Sequence, residues 1–243
     1  MYPLSSDYRW AELRLEYAIT KNLRQFGYVL MPKWHPDQST IDMARSIGSV
    51  IDVHAFLPRS NIPTVQTLRP RRLSESTSNQ YSGTYGLDDF PLHTDLAHWA
   101  RPPRYLMLRC ASASADVVTR LLSASAIVSL VGEETLRRAV VRPRRPPPNG
   151  KLCLLPLVFF TGNAAGYRWD SLFLVPMNNA AERVAGVMTA NAFGSEDVLT
   201  LSLTTPGDTL ILDNWKLLHG RGSVRLSDMG RRIERVYFSE LYA

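Results

Sequence analysis

Two histidines and one aspartate carry the strongest chemical signal in the sequence. His93 and Asp95 lie two residues apart in FPLHTD, and on an extended strand such side chains point to the same face. Far downstream, in DNWKLLHGR, His219 follows a strand-like run and an Asp-Asn turn. Two imidazoles and a carboxylate from separate strands leave open coordination positions, an arrangement typical of non-heme Fe(II) oxygenases. The spacing therefore predicts an iron site on these three residues.

Two arginines in the C-terminal run RRIERVYF provide a second signal. Period-2 spacing places Arg231 and Arg235 on one face of a predicted strand. An arginine that points inward near a metal needs an anionic partner, and its planar guanidinium suits a carboxylate. A dicarboxylate that chelates the metal through its other end would supply that partner. The alternative is a basic edge strand that faces solvent.

The elements that must position these residues are mostly strands. An N-terminal helix that stops at Gly27, a strand at 28–31 and a second helix from about Asp37 to Gly48 come first. Further strands are predicted at 63–69, 104–110, 152–160, 167–175, 198–204, 209–213 and 233–241, and helices at 122–131 and 179–192. The Arg/Pro-rich segment 142–149 is predicted to be a solvated loop, because proline fits neither a helix interior nor a central strand. The pattern predicts an N-terminal helical layer followed by a β-rich core with inserted helices.

Length, composition and charge narrow the class of protein. The 243 residues are 45% hydrophobic and 21% charged, which fits one folded domain rather than a disordered or fibrous chain. The net charge of +6 favours anionic partners, whether nucleic acid, an acidic carrier protein or a carboxylate metabolite. The two cysteines, Cys110 and Cys153, exclude a disulfide framework and predict reduced thiols. With no apolar leader and no run long enough to span a bilayer, we expect a cytoplasmic protein with no membrane association.

The stretches FPLHTDLAHWARPPRYLMLRC, PGDTLILDNWKLLHGRGSV and RRIERVYF resemble the taurine dioxygenase-like branch of the Fe(II)/2-oxoglutarate-dependent oxygenases. The resemblance implies that His93, Asp95 and His219 bind Fe(II), with 2-oxoglutarate and O2 as co-substrates. It also implies that Arg235 pairs with the distal carboxylate of 2-oxoglutarate and that Arg231 is a second arginine near it. Which of these two arginines forms the pair stays open.

The resemblance further implies a double-stranded β-helix, a cupin-like jelly roll that is mainly β with flanking α, with N-terminal helices packed on one side. A single oxygenase domain would span 1–243, with a helical layer at 1–50 and the jelly-roll core at 63–243. Thr119 is the candidate for a hydrogen bond to 2-oxoglutarate, although the Gly-Gly that precedes this threonine in the family is absent. In related halogenases a small residue replaces the carboxylate ligand, so the retained Asp95 favours hydroxylation or a related oxidation.

Four further residues are candidates for substrate contacts. Tyr85 and Asp89 lie in a Ser/Gly/Tyr-rich loop beside the predicted metal ligands, and a plain solvated loop is the alternative. Arg168 and Asp170 have i, i+2 spacing in a segment that resembles a substrate-contacting region of amino-acid hydroxylases. Such a pair would suit a zwitterion, and a structural salt bridge would explain it equally well.

The sequence predicts hydroxylation of a small polar metabolite, an amino acid or derivative that is free or tethered to a carrier. Release of succinate and CO2 would accompany the reaction. One alternative is a non-catalytic jelly-roll binding protein, since fold alone does not decide function. Another is an oxygenase that acts on nucleic acid through the basic loops at 69–72 and 142–145, but no zinc finger, aromatic RNA-binding strand or basic helix supports it.

Overall fold

A computed structural model describes residues 6–56, 62–113, 117–145, 153–190, 193 and 196–242, with side chains from residue 16 onward. The helices within these ranges are α1 (Ser6–Phe26), α2 (Thr40–Ile47), α3 (Val53–Phe56), α4 (Tyr81–Tyr85), α5 (Ala124–Val131), α6 (Glu133–Arg138) and α7 (Asn179–Thr189). The strands are β1 (Tyr28–Met31), β2 (Gly48–Val50), β3 (Gln66–Leu68), β4 (Tyr105–Ser112), β5 (Val118–Ser123), β6 (Val140–Pro143), β7 (Leu155–Pro156), β8 (Val158–Thr161), β9 (Ala164–Tyr167), β10 (Leu174–Pro176), β11 (Val198–Ser202), β12 (Thr209–Asp213), β13 (Leu217–Arg221) and β14 (Arg232–Leu241).

The largest sheet is antiparallel, in the order β1-β12-β4-β14-β2, with β3 also paired to β14. Side chains alternate between its two faces. On one face Met107, Ile211 and Val236 pack against Ile19 of α1 and Ile47 of α2. This contact explains why both N-terminal helices cover one side of the sheet, as the sequence predicts.

The opposite face of the large sheet packs against a second antiparallel sheet, β11-β5-β13. Leu108 and Tyr237 from the first sheet share a buried cluster with Leu121 and Leu217 from the second. The remaining strands form two smaller sheets, β10-β6-β7 and β8-β9. The prediction of a mainly β chain with flanking helices is confirmed, and the described strands form separate sheets rather than one closed barrel.

Most predicted helices and strands are confirmed, with shifted ends. The second helix begins at Thr40 rather than near Asp37, because the Ser39 side chain accepts the Asp42 N–H and caps it. Likewise α5 begins later than expected, since β5 extends through Ser123, whose hydroxyl caps the helix.

Two predictions about irregular segments are wrong. The strand expected at 167–175 does not form, because β9 ends at Tyr167 and β10 begins only at Leu174. The start of the segment predicted as a solvated loop, 142–149, belongs instead to β6, the middle strand of its sheet. Pro143 is the last residue of that strand, where its missing N–H interrupts no interior ladder bond. Residues 146–149 of the predicted loop lie outside the described residues.

Neither cysteine forms a disulfide, since Cys110 and Cys153 are both free and Cys110 is buried. Among the helices described above, none is long and apolar enough to cross a lipid bilayer.

The buried guanidinium of Arg109 ties the large sheet to the loop after β1. Its Nη1 donates to the Trp34 carbonyl at 2.6 Å and to the Thr209 hydroxyl at 2.8 Å. Its Nη2 donates to the carbonyl of His35, a residue with a positive φ of 42°. Only 3% of Arg109 is exposed. If the guanidinium were removed, little water could reach these oxygens to donate hydrogen bonds in its place.

We expect Arg109→Met to lower the free energy of unfolding by about 3 kcal/mol, because several buried oxygens lose a charged donor. Urea denaturation of the purified protein measures this change. Arg138→Met is the matched control, since the Arg138 side chain is 74% exposed and forms an ion pair with Glu134. Loss of that surface pair should cost about 0.5 kcal/mol. Equal effects of the two substitutions would contradict the assigned role of Arg109.

Candidate metal centre

Main-chain hydrogen bonds bring the two histidines together. His93 N–H donates to the His219 carbonyl at 2.9 Å, and His219 N–H donates back to the His93 carbonyl at 2.9 Å. His219 lies in the middle of β13, opposite Leu121 of β5. Their imidazole centroids are 4.5 Å apart. An antiparallel bridge between their main chains therefore holds together two histidines that are far apart in sequence.

Thr94, between the first two candidate ligands, is held from the other side. Its N–H donates to the Trp169 carbonyl at 2.7 Å, and its hydroxyl accepts the Trp169 N–H at 3.2 Å. Thr94 is fully buried. The threonine of His-Thr-Asp thus completes a paired contact with the chain beyond β9, a role that the sequence does not reveal.

Asp95 reaches the centre by a turn rather than by a strand. Only His93 has a strand-like bridge, Asp95 begins a turn, and the next residue, Leu96, has a φ of 54°. The Asp95 N–H donates to the side-chain oxygen of Asn214 at 2.9 Å. The prediction that His93 and Asp95 converge holds, although the extended strand assumed for both residues does not form.

The three side chains offer ligand atoms that all lie within 4.8 Å of one another, and all three residues are buried. His93 Nε2 is 3.5 Å from Asp95 Oδ1, and His219 Nε2 is 3.7 Å from Asp95 Oδ2. His93 Nδ1 lies 2.9 Å from the Pro91 carbonyl, an acceptor that requires this nitrogen to carry the proton. The Nε2 lone pair of His93 is therefore free to bind a metal.

Basic and phenolic donors hold the Asp95 carboxylate in its ionised form. Arg235 Nη1 donates to both carboxylate oxygens at 2.9 and 2.8 Å, and Tyr237 donates its hydroxyl proton to Oδ2 at 3.1 Å. Burial alone would raise the pKa of Asp95, but the charge of Arg235, together with the interactions of both imidazoles, outweighs it and lowers this pKa far below its usual value. Gln66, opposite Arg235 on β3, accepts from its Nη2 at 2.7 Å.

The two imidazoles have different proton affinities. Burial, together with the nearby His93, lowers the pKa of His219 to about 3, so this imidazole is neutral at neutral pH. Burial also acts to lower the pKa of His93, but its hydrogen bond to Asp95 and the charge of Asp95 raise it overall. Two imidazole nitrogens and one ionised carboxylate are a donor set that suits Fe(II) and similar divalent ions. The residues present therefore fit the metal that the sequence predicts.

Arg231 has a different environment from Arg235. It lies one residue before β14, whose register with β4 shifts between Arg232 and Ile233. The shared face with Arg235 stays a prediction. Arg231 is 6% exposed and its Nε has no hydrogen-bond partner among the described residues. Burial lowers the pKa of Arg231 to about 10. A buried guanidinium of this kind favours an anion.

Thr119 and Arg221 lie on the side of the second sheet that approaches Arg231. Thr119 on β5 pairs directly with Arg221 on β13, and Thr119 is buried. Burial, with the positive charge of Arg231, lowers the pKa of Arg221 to about 10. Arg221 donates to the carbonyls of Gly86 and Asp88 at 3.1 and 2.7 Å.

The residues predicted to contact substrate lie in different environments and have different partners. Asp89 is 53% exposed and forms an ion pair with Arg120 at 3.0 Å. Arg168 donates to the carbonyls of Ala97 and Ala100 at 3.0 and 2.9 Å, so it supports the loop after the candidate ligands. Since 168–170 is not a strand, the i, i+2 argument for a joint Arg168–Asp170 contact is wrong.

Asp170 interacts electrostatically with the candidate ligand His93. One carboxylate oxygen accepts the N–H groups of Leu172 and Phe173 at 2.8 and 2.9 Å. Burial raises the pKa of Asp170, although the charge of His93 opposes this shift. Asp170 is 2% exposed and forms no ion pair with a lysine or arginine in the described part of the chain.

Aromatic side chains cover the centre. Tyr81 stacks on His93 with ring centroids 4.4 Å apart and an interplanar angle of 28°. Tyr85, Phe90 and Phe173 surround Tyr81 at centroid distances of 5.9, 5.4 and 5.8 Å. We call Tyr81, Tyr85, Phe90 and Phe173 the aromatic cover. Tyr85 is thus placed near the centre, as the sequence predicts, although it is one ring removed from His93.

Sequence reasoning missed Tyr237 and Gln66. A usable signal existed for Tyr237, because it follows Arg235 at the period-2 spacing that places both on one strand face. No comparable signal existed for Gln66, which reaches Arg235 only through the pairing of β3 with β14.

Comparison with protein families identifies the class. The profile described as "Taurine catabolism dioxygenase TauD, TfdA family" matches residues 7–132, just over half of the chain. The chain belongs to the TauD/TfdA family. The part of the chain that matches the TauD/TfdA profile includes His93, Asp95 and Thr119 and ends before His219. A search of curated protein sequences finds no match.

Solved structures share the fold of this TauD/TfdA protein. An asparagine oxygenase in complex with Fe(II), 2S,3S-3-hydroxyasparagine and succinate superposes with a TM-score of 0.66 at 17% identity, over 93% of this chain and 79% of that one. PvcB from Pseudomonas aeruginosa gives 0.64 at 17% identity, over 92% and 79%. The non-heme iron oxygenase OrfP, in complex with Fe, succinate and (3S)-hydroxy-L-Arg, gives 0.61 at 17% identity, over 96% and 80%.

We expect Asp95→Ala to weaken Co(II) binding more than about 100-fold, because the centre loses its only anionic ligand among the three. Anaerobic titration of metal-free protein with Co(II), followed by visible absorption, measures the dissociation constant. His98→Ala is the matched control, since His98 lies nearby beside Phe173 but outside the ligand cluster. Wild-type affinity in Asp95→Ala would refute the assignment of this carboxylate.

Proposed function

We propose that this protein is an Fe(II)/2-oxoglutarate-dependent oxygenase that hydroxylates a small polar metabolite, with release of succinate and CO2. The observation that carries the proposal is the convergence of His93, Asp95 and His219, three buried ligands on backbone held by hydrogen bonds. Membership of a dioxygenase family supports it.

We propose further that the chain is a single oxygenase domain, 1–243, with a double-stranded β-helix, or jelly-roll, core. Two antiparallel sheets that face each other across one buried cluster support this architecture. The similarity of fold to three oxygenases, over more than nine-tenths of the chain in each case, supports it as well.

Fe(II) would be held by His93, Asp95 and His219, and with O2 and 2-oxoglutarate it would supply the oxidising chemistry. The protein contributes orientation and charge. The low pKa of Asp95 keeps this ligand anionic, and Tyr237 donates to one of its oxygens. The neutral imidazole of His219 offers its lone pair without first losing a proton.

Arg231, with Thr119, is the better candidate for the distal carboxylate of 2-oxoglutarate. Arg235, the first choice from sequence, already donates to Asp95 and Gln66. Arg231 is buried, and its Nε has no hydrogen-bond partner among the described residues. The hydroxyl of Thr119 would add a neutral donor, and the nearby charge of Arg221 would strengthen the attraction for an anion.

The aromatic cover would keep water from the reacting centre. Its rings stack on His93 and on one another, so the covered side of the centre is apolar. A dry, preorganised site strengthens electrostatic contacts with the substrate and suppresses side reactions.

The carboxyl group of Asp170 is the basis for proposing a substrate that carries an amine. It is a buried carboxyl group that interacts with the charge of His93 and forms no ion pair with a lysine or arginine in the described chain. A substrate ammonium would supply the missing positive charge. We therefore propose an amino acid or derivative, free or tethered to an acidic carrier protein, and the net charge of +6 favours such a carrier. The hydroxyasparagine and hydroxy-arginine complexes of two structural neighbours support this substrate class.

We expect Arg231→Met to raise the dissociation constant of 2-oxoglutarate by roughly 10–100-fold, the effect of losing a charge-assisted contact. Anaerobic titration of the Fe(II)-loaded protein, followed by the metal-to-ligand charge-transfer band, measures it. Arg232→Met is the matched control, because Arg232 is the exposed neighbour at the start of β14.

If Arg235→Met raises that constant while Arg231→Met does not, Arg235 takes the role that the sequence first suggests. Absence of the band in well-folded, iron-loaded wild type would reject the 2-oxoglutarate site and favour a non-catalytic binding protein.

We expect Asp170→Asn to weaken binding of an amine-bearing substrate at least about tenfold, since a buried charge pair is lost. Asparagine retains the side-chain oxygen that caps Leu172 and Phe173, so the turn should persist. Free L-amino acids are screened first by the change they cause in the charge-transfer band. A variant that loses 2-oxoglutarate affinity to the same extent would show general damage rather than loss of substrate recognition.

A further inference from the structure

The carboxamide of Asn214 is fully engaged with the chain around Asp95. Its Oδ1 accepts the Asp95 N–H at 2.9 Å, and its Nδ2 donates to the Asp95 carbonyl at 3.1 Å. The second Nδ2 proton goes to the Pro103 carbonyl at 2.9 Å. Asn214 is 1% exposed. One side chain thus binds both polar groups of the Asp95 main chain, as a neighbouring strand would.

We propose that Asn214 is a positioning residue that holds the main chain of Asp95 and thereby directs its carboxylate at the metal. The proposal rests on the proposed function only in taking Asp95 as a metal ligand. Asn214 itself touches neither the metal nor the substrate. Its effect passes through the backbone of Asp95.

The backbone at Asp95 needs such support because the chain turns sharply there. Leu96 has a φ of 54°, in the left-handed region that a leucine rarely adopts. Release of Asp95 would let Leu96 return to a more favourable φ and swing the preceding carboxylate away. The paired hydrogen bonds from Asn214 oppose that relaxation.

The other two ligands have no need of a side-chain support of this kind. His93 and His219 exchange two backbone hydrogen bonds, and β13 is further held by β5. Asp95 lies two residues beyond that bridge, and Asn214 supplies the hydrogen-bond partners of its main chain there. Asn214 is itself anchored, since its N–H donates to the Arg104 carbonyl at 2.7 Å.

An amide is the chemical group that this position requires. Aspartate has the same shape, but its second oxygen would face the carbonyls of Asp95 and Pro103 and offer no donor to either. Alanine removes both the acceptor and the donors. Both changes leave buried polar groups without partners.

A purely structural role predicts a different outcome, and Trp215 provides the comparison. Its Nε1 donates to the Pro102 carbonyl at 2.9 Å, so it also links the turn after β12 to the loop before β4. Trp215 is buried beside Asn214 but makes no hydrogen bond to Asp95 among the contacts described. Trp215→Phe therefore removes one link between the same two segments and leaves Asp95 held.

The test uses metal-free, full-length protein and Co(II) as the probe. For wild type, Asn214→Asp, Asn214→Ala and Trp215→Phe, we would measure the Co(II) dissociation constant, the ligand-field spectrum and the urea midpoint. We expect both Asn214 variants to bind Co(II) roughly 10–100-fold more weakly, with a changed spectrum. Trp215→Phe should lower the urea midpoint but keep the wild-type spectrum and an affinity within about threefold.

Wild-type Co(II) affinity in the Asn214 variants would overturn the proposal. So would a loss in Trp215→Phe as large as theirs. If the Asp and Ala variants do not fold, Asn214→Ser, which leaves room for a water molecule, is judged against Trp215→Phe by the same criteria. Failure of the proposed function is distinguishable, because wild type itself would then bind no Co(II) at this centre.

Discussion

The reciprocal backbone hydrogen bonds between His93 and His219 are the constraint on which the rest of the centre depends. They join a short segment before β4 to the middle of β13, two parts of the chain that are far apart in sequence. Once that bridge forms, Thr94 meets Trp169 on one side and Asp95 meets Asn214 on the other. The metal ligands are therefore arranged by the main chain, and the side chains follow.

Charged and phenolic side chains add hydrogen bonds to the cluster that the backbone arranges. The large sheet contributes Arg235 and Tyr237 from one face of β14, and both donate to Asp95. These donors offset the cost of burying a carboxylate and keep it ionised. Arg231 and Asp170 are two further buried ionisable side chains. In the proposed function, Arg231 would favour an anion and Asp170 an amine-bearing substrate.

Local patterns in the sequence were enough to predict the cluster of His93, Asp95 and His219 and most elements of the large sheet. The spacing of His93 and Asp95, and the turn before His219, are local signals that survive in the fold. The contacts of Gln66 and Asn214 depend on strand pairing and loop packing, which no local pattern encodes. Arg168 and Asp170 show the opposite error, since a strand was assumed where the chain is irregular and the two side chains diverge.

The aromatic cover comes from α4, the loop that follows it and a residue before β10, and none of these segments belongs to β13 or to the segment 93–95, which carry the candidate ligands. Main-chain hydrogen bonds are indifferent to side-chain identity, so the ligands keep their places when cover residues are exchanged. Evolution can therefore alter which molecule is oxidised through Tyr81, Tyr85, Phe90 and Phe173 while the oxidising machinery is inherited intact. A scaffold built in this way lends itself to diversification of substrate range within one family.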